Sequence, residues 1–265
     1  MKKYLALIRA SMLEALQLRV AAISNFIGNI IYIVIVYHLW YSIFFSSGEK
    51  IVNGMTFSDT IIYLVLTSAL FYTIEAYLVW DTHRDIQSGK IISNLIKPIE
   101  YQSFQYFRCL GWVIFNFFST FLPTFLIIYF LSGSKIVLSY NLLFFLISIV
   151  LSTVIHFFVD FFVGTICFYT QSVWGVNIMK EVVVMLFSGA VIPINFFPEP
   201  LKSITMYLPF QAIYNIPLQQ LLHHNLTTRS RMNYICVQLL WIIVLFVVSK
   251  SFWKKGQRII TVNGG

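Results

Sequence analysis

From position 109 to 134 the chain runs for 26 residues without one Asp, Glu, Lys, Arg or His. A helix that crosses the roughly 30 Å hydrocarbon core of a bilayer needs about 20 mostly apolar residues. Five more runs have the same character: 20–45, interrupted only by His38; 60–80, broken by Glu75; 136–179, broken by His156 and Asp160; 182–198, which ends in prolines; and 232–249. They explain why 58% of the residues are hydrophobic and only 11% charged, where soluble domains carry about 45–50% and about 25%. Too little polar side chain remains to cover a water-facing globule. Disorder is excluded, and so is a transmembrane β-barrel, whose segments alternate over about ten residues. Cys109, Cys167 and Cys236 stand singly, with no CxxC spacing, so a disulfide framework is excluded as well.

The 44-residue run 136–179 reads either as one long helix with a turn after it or as two spans with a hairpin near Asp160. Basic residues decide, because Lys and Arg collect on the cytoplasmic side. With six spans and both termini inside, 13 of the 18 basic residues are cytoplasmic, Lys180 among them; Lys50, Lys135, Lys202, Arg229 and Arg231 are the 5 outside. A seventh span would put the basic C-terminal tail outside. The net charge of +8 therefore fits membrane orientation and does not call for nucleic acid.

The expected fold is an all-α polytopic membrane protein of one domain, 1–265. Residues 1–19 form an amphipathic interfacial elbow helix: Leu5, Ile8, Met12 and Leu16 share one face, and Lys2, Lys3, Arg9 and Glu14 the other. The spans are expected at 20–45, 58–80, 109–132, 138–168, 175–193 and 232–250. The inner connection 81–108 is too long for a simple turn and is read as a folded platform at the membrane surface. The outer segment 193–231 is apolar but broken by Pro193, Pro198, Pro200 and Pro209, which cannot continue a helix. It is read as re-entrant, packed on protein or lining water. Tyr37, Trp40 and Tyr41 suit an interfacial belt.

Catalytic constellations are missing from the sequence. It has no GxxxxGK[ST], no HExxH, no GxSxG and no metal-spaced Cys/His cluster; His223 and His224 are adjacent and would diverge on a helix. The pointed residues are the ionisable ones inside spans. Glu75, His156 and Asp160 would each cost about 2.5–3.5 kcal/mol or more at the bilayer centre unless they face protein or water. His156 and Asp160, four apart, share a helix face. They read as pathway polar groups, as a proton relay, or as an interhelical polar contact.

Two stretches carry a family resemblance. Ile86-Gln87-Ser88-Gly89-Lys90-Ile91-Ile92-Ser93-Asn94-Leu95-Ile96-Lys97-Pro98 is similar to the I-x-x-G-x-(hydrophobic)-x-x-x-L-(hydrophobic)-x-P coupling region of ABC-2 type transporter permeases. Gly189-Ala190-Val191-Ile192-Pro193, then Phe197-Pro198, then Leu208-Pro209 is similar to that family's outer G-x-x-(hydrophobic)-P…F-P…L-P signature. The chain most resembles a bacterial branch in which two six-span permeases are paired. The resemblance implies a permease subunit of an ATP-driven exporter in the bacterial cell membrane, and no enzyme activity in this chain. Separate ATPase subunits would supply ATP and Mg, and a second permease, identical or homologous, would complete the path. It implies ATPase coupling through Arg84, Asp85, Gln87, Gly89 and Lys90, and an outer gate at Gly189, Pro193, Phe197, Pro198 and Pro209. It does not carry over a substrate; the expected one is an amphipathic drug, peptide or lipid-like compound, which an aromatic-lined path would suit. The rival reading is a proton-coupled secondary transporter working through Glu75 and His156/Asp160.

Overall fold

The computed structural model describes residues 2–17, 19–133, 136, 140–170, 172–223 and 225–259. Met1, Lys135, His224 and the expected start of the fourth span at 138 lie outside the described residues.

The elbow is α1 (Lys2–Gln17), followed by the first span, α2 (Arg19–Ser47). A hairpin then pairs β1 (Ile51–Val52) with β2 (Met55–Thr56), Val52 opposite Met55. Its turn residues, Asn53 (φ 49°) and Gly54 (φ 79°), both adopt the positive φ of the tight turns that match strand twist. Thr56 and Asp59 cap the next helix, α3 (Phe57–Ile74), reciprocally: each side chain accepts the other's backbone N–H. After a break at Glu75-Ala76-Tyr77 come α4 (Leu78–Gln87), α5 (Lys90–Leu95) and α6 (Tyr101–Asn116). The third span then passes through a π-helical turn, Phe117–Phe121, into α7 (Leu122–Leu131). Pro123 accounts for that turn, since its ring would clash with the carbonyl one α-turn back.

The run 136–179 resolves into α8 (Asn141–Thr165), extended by one 3-10 turn (Ile166–Phe168), and then α9 (Trp174–Phe187). Asp160 sits inside a continuous helix, so the hairpin alternative is set aside. Past α9 lie α10 (Glu199–Tyr207), α11 (Asn215–Leu222) and α12 (Thr228–Gln257).

The fold is thus a nearly all-helical, multi-spanning one. Among the described residues five helical segments are long and apolar enough to cross a bilayer: Phe26–Ser46, Phe57–Gln87, Tyr101–Leu131, Asn141–Phe168 and Thr228–Gln257. The segment 175–193 instead gives the 14-residue α9. Gly189 at φ 77° and Pro193 prevent its continuation.

Two spans form the centre and two the periphery. Over their most apolar windows α3 is 67% buried and α8 56%, against 17% for α2 and 11% for α12. The apolar faces of α2 and α12 are left for lipid or for other protein. In α1, the small residues Ser11 and Ala15 are buried against α6; of the expected apolar face Leu5 and Leu16 stay exposed, while Ile8 and Met12 are half-buried. Gly111 makes that approach possible: a Cβ there would stand 2.6 Å from the carbonyl oxygen of Ile8. Gln238 ties α12 to α8 and to the chain just before α11. Its amide donates to the Ser148 and Ala212 carbonyls (3.1 and 3.0 Å) and its oxygen accepts from Ser148 Oγ (2.9 Å).

Candidate functional site

The connection between the second and third spans is a platform built on one buried carboxylate. Asp85, on α4, is 6% exposed. Its Oδ2 accepts from Asn94 Nδ2 of α5 (2.8 Å) and from the Tyr101 hydroxyl of α6 (3.0 Å), which in turn accepts from Gln105 Nε2 (2.7 Å). Tyr101 stacks on Trp253 of α12 with centroids 4.9 Å apart. Gly89 turns the chain between α4 and α5 with φ 69°. The platform is further joined to the membrane helices at two points. Thr82 packs against Gly164 of α8, where an added Cβ would meet its side chain at 3.1 Å. Arg108 bridges Asp81 (3.4 Å) and Glu14 of the elbow (3.8 Å). Of the residues expected to meet an ATPase, Arg84, Gln87, Gly89 and Lys90 lie exposed on this platform, and Asp85 lies inside it.

Of the residues expected at an outer gate, Gly189 is tied to α3. Its carbonyl accepts the Tyr63 hydroxyl at 3.0 Å, and that hydroxyl lies 3.4 Å from Asn215 Oδ1. Pro193 opens a buried 3-10 turn, Ile194–Phe196, whose Phe196 ring packs edge-on to Trp40 of α2 at 4.6 Å. Phe197 is half-buried, Pro198 precedes α10 and is exposed, and Pro209 is buried where the chain turns in again. From there α11 enters the core between α3 and α8: Ala212, Ile213, Tyr214, Ile216, Leu218 and Leu221 are all 0% exposed.

The intramembrane residues are brought together, with one addition. His156 Nε2 lies 3.5 Å from Glu75 Oε2, and its Nδ1 lies 3.6 Å from Asp160 Oδ2. Asp160 Oδ1 accepts from Lys180 Nζ of α9 at 2.9 Å. The chain of four groups runs from the break in the second span, across α8, to α9. Glu75 is the residue at which α3 ends, with ψ 123°. Neither Gly nor Pro marks this break; Glu75 on one side and the Thr82–Gly164 contact on the other hold it. Nearby, Asn116 Nδ2 donates to the Tyr72 carbonyl at 3.1 Å, satisfying one acceptor of the last α3 turn.

Lys180 was counted above among the cytoplasmic cations, but it is 8% exposed and paired with Asp160. Its only signal in sequence is a Lys next to an apolar run, which a basic residue at a span end gives equally well. Arg231, counted outside, is 0% exposed. Its guanidinium donates to the carbonyls of Gln220 (2.6 Å) and His223 (2.7 Å), capping α11, and stands over the Tyr140 ring at 5.4 Å.

Among the described residues no group of three or more His, Cys, Asp or Glu could hold a metal ion. A search of curated proteins gave no significant match. A family profile described as "ABC-2 family transporter protein" matches residues 13–264, almost the whole length, so platform, cluster and outer segment all lie within the match. The chain belongs to the ABC-2 family of transporter proteins.

Proposed function

We propose that this chain is the permease subunit of an ATP-driven exporter. It forms the translocation path with a second permease and is moved by separate ATPase subunits that bring ATP and Mg. The observation that carries this reading is the platform. Arg84, Gln87, Gly89 and Lys90 are presented on two short helices that Asp85, Tyr101 and Trp253 make into one unit. A push on that unit reaches α8 through Thr82 and the elbow through Arg108. Both termini are then cytoplasmic in a bacterial cell membrane. The sixth crossing is made by α9 with the chain that follows it, and the Gly189–Pro209 region re-enters as the outer gate. The substrate is amphipathic. Rigid-body rocking of the spans is the motion such a linkage supports.

The four-group cluster favours a second reading, a proton-coupled carrier in which Glu75, His156 and Asp160 relay the proton. One experiment separates them: purification of the tagged chain from its native cell in mild detergent, with every stoichiometric partner identified. A co-purifying P-loop protein is expected, and Arg84→Glu should lower its recovery by about tenfold, as loss of an interfacial charge contact does. A well-folded chain that comes down alone would overturn the ABC reading in favour of the carrier.

A further inference from the structure

A cavity of about 460 Å³ opens beside the break in the second span, within the roughly 300–1,000 Å³ range of small-molecule sites. It is bounded by the elbow, the ends of α3 and α4, α6 and α9. Its walls carry Phe71, Tyr72, Trp80, Trp112 and Phe115, interleaved with Glu75 and Glu181.

The charges in these walls are unequal. Arg84 and Arg108 line the cavity too, but both are engaged by carboxylates: Arg84 by Asp81 at 3.7 Å, Arg108 by Asp81 at 3.4 Å and by Glu14 at 3.8 Å. Lys180, behind the wall, is bound to Asp160. Among the described residues neither Glu75 nor Glu181 has a Lys or Arg ion-pair partner. Glu75 faces His156, its side chain 29% exposed, and Glu181 accepts only from Asn177 Nδ2 at 2.6 Å. On this aromatic wall Glu75 therefore has an imidazole partner but no Lys or Arg, and Glu181, among the described residues, has neither. The uncapped start of α4 offsets them by no more than about half a charge.

We infer that this cavity binds the translocated substrate and that the substrate is an aromatic or lipophilic organic cation. Aromatic faces attract a cation through their quadrupole, most strongly when it is desolvated. The two carboxylates set the sign of the charge accepted, and the rings give affinity without demanding one shape. The inference rests on the permease reading for the word substrate, but binding itself does not depend on it.

The test uses two tetraphenyl ions of nearly equal shape and opposite charge, tetraphenylphosphonium and tetraphenylborate. Each is titrated into the purified chain in zwitterionic nanodiscs, with empty nanodiscs subtracted. Saturable binding of the phosphonium, one per chain, is expected, and none of the borate. Glu75→Gln and Glu181→Gln should each weaken it by about tenfold, and the double variant should abolish it. Trp112→Leu, which leaves every charge in place, should weaken it less. Glu199→Gln, which neutralises an exposed carboxylate outside the cavity, should leave it unchanged. Equal uptake of both ions, or an unaltered double variant, would overturn the inference. No ATPase is present in this titration. Its failure thus leaves the partner experiment standing, and failure of the partner experiment leaves a cation site in a carrier.

Discussion

Two buried cations in this protein are held in opposite ways. Arg231 is surrounded by carbonyl oxygens and aromatic rings, within one outer corner formed by α11, α12 and the start of α8. Lys180 is held by a carboxylate, and through Asp160 and His156 it connects α9 to the broken end of α3. The first arrangement closes a helix end: carbonyls at the α11 terminus would otherwise lack donors in a medium without water. The second crosses three elements and ends on a cavity wall. The corner thus joins neighbouring stretches of the chain, and the cluster joins α3, α8 and α9.

The largest effect is expected from breaking the outer corner. Arg231→Met should lower stability by about 3–5 kcal/mol, because it strands two backbone carbonyls and the Gln220 side-chain oxygen. Thermal unfolding in detergent reads this directly. Arg231→Lys should recover little of it, since one ammonium cannot reproduce a fork that spans Gln220 and His223. A variant as stable as the parent would remove the distinction between the two cations.

The cluster should respond differently, because its partners compensate one another. Lys180→Met alone leaves Asp160 buried without its cation, and Asp160→Asn alone leaves Lys180 in the same position. Each should cost about 3 kcal/mol. The double variant should cost less than the sum by about 1–3 kcal/mol, the coupling of groups in contact. Additive losses, measured by the same unfolding assay, would mean that Lys180 is held by its surroundings and not by Asp160.

How far these features could be read beforehand follows from the range over which each is determined. The helix at 2–17, the long apolar runs, the short helices after the second span and the proline-broken segment after α9 are local patterns, and they were visible. So was the pairing of His156 with Asp160, fixed by one helical turn. Their meeting with Glu75 was not, because it depends on how α3 and α8 pack. The burial of Lys180 and Arg231 was not legible either. Charge statistics assign a Lys or Arg near a span end to water, and these two are instead paired, Lys180 with Asp160 and Arg231 with Gln220 and His223. The Asn53-Gly54 turn was legible but overlooked, its two-residue strands being overshadowed by the spans on either side. The break at Glu75 has no local signal at all.

A pair of glycines gives the smallest and sharpest comparison between the outer region and the platform. Gly189 and Gly89 have nearly equal φ, 77° and 69°. Backbone strain from an added Cβ should therefore be about 1 kcal/mol in both. Their surroundings differ. An added Cβ at Gly89 meets nothing within 4 Å, whereas at Gly189 it would stand 2.8 Å from the Tyr63 hydroxyl and 3.0 Å from Ile194. Gly89→Ala should thus cost only the strain. Gly189→Ala should cost about 1–2 kcal/mol more, by crowding the hydroxyl that donates to its own carbonyl. Tyr63→Phe, introduced with Gly189→Ala, should recover part of the excess, since it removes the crowded oxygen. Equal losses for the two alanine variants would show that the outer turn yields as easily as the platform's exposed one. Close packing by Tyr63 and Ile194 would then not be what holds Gly189 in place.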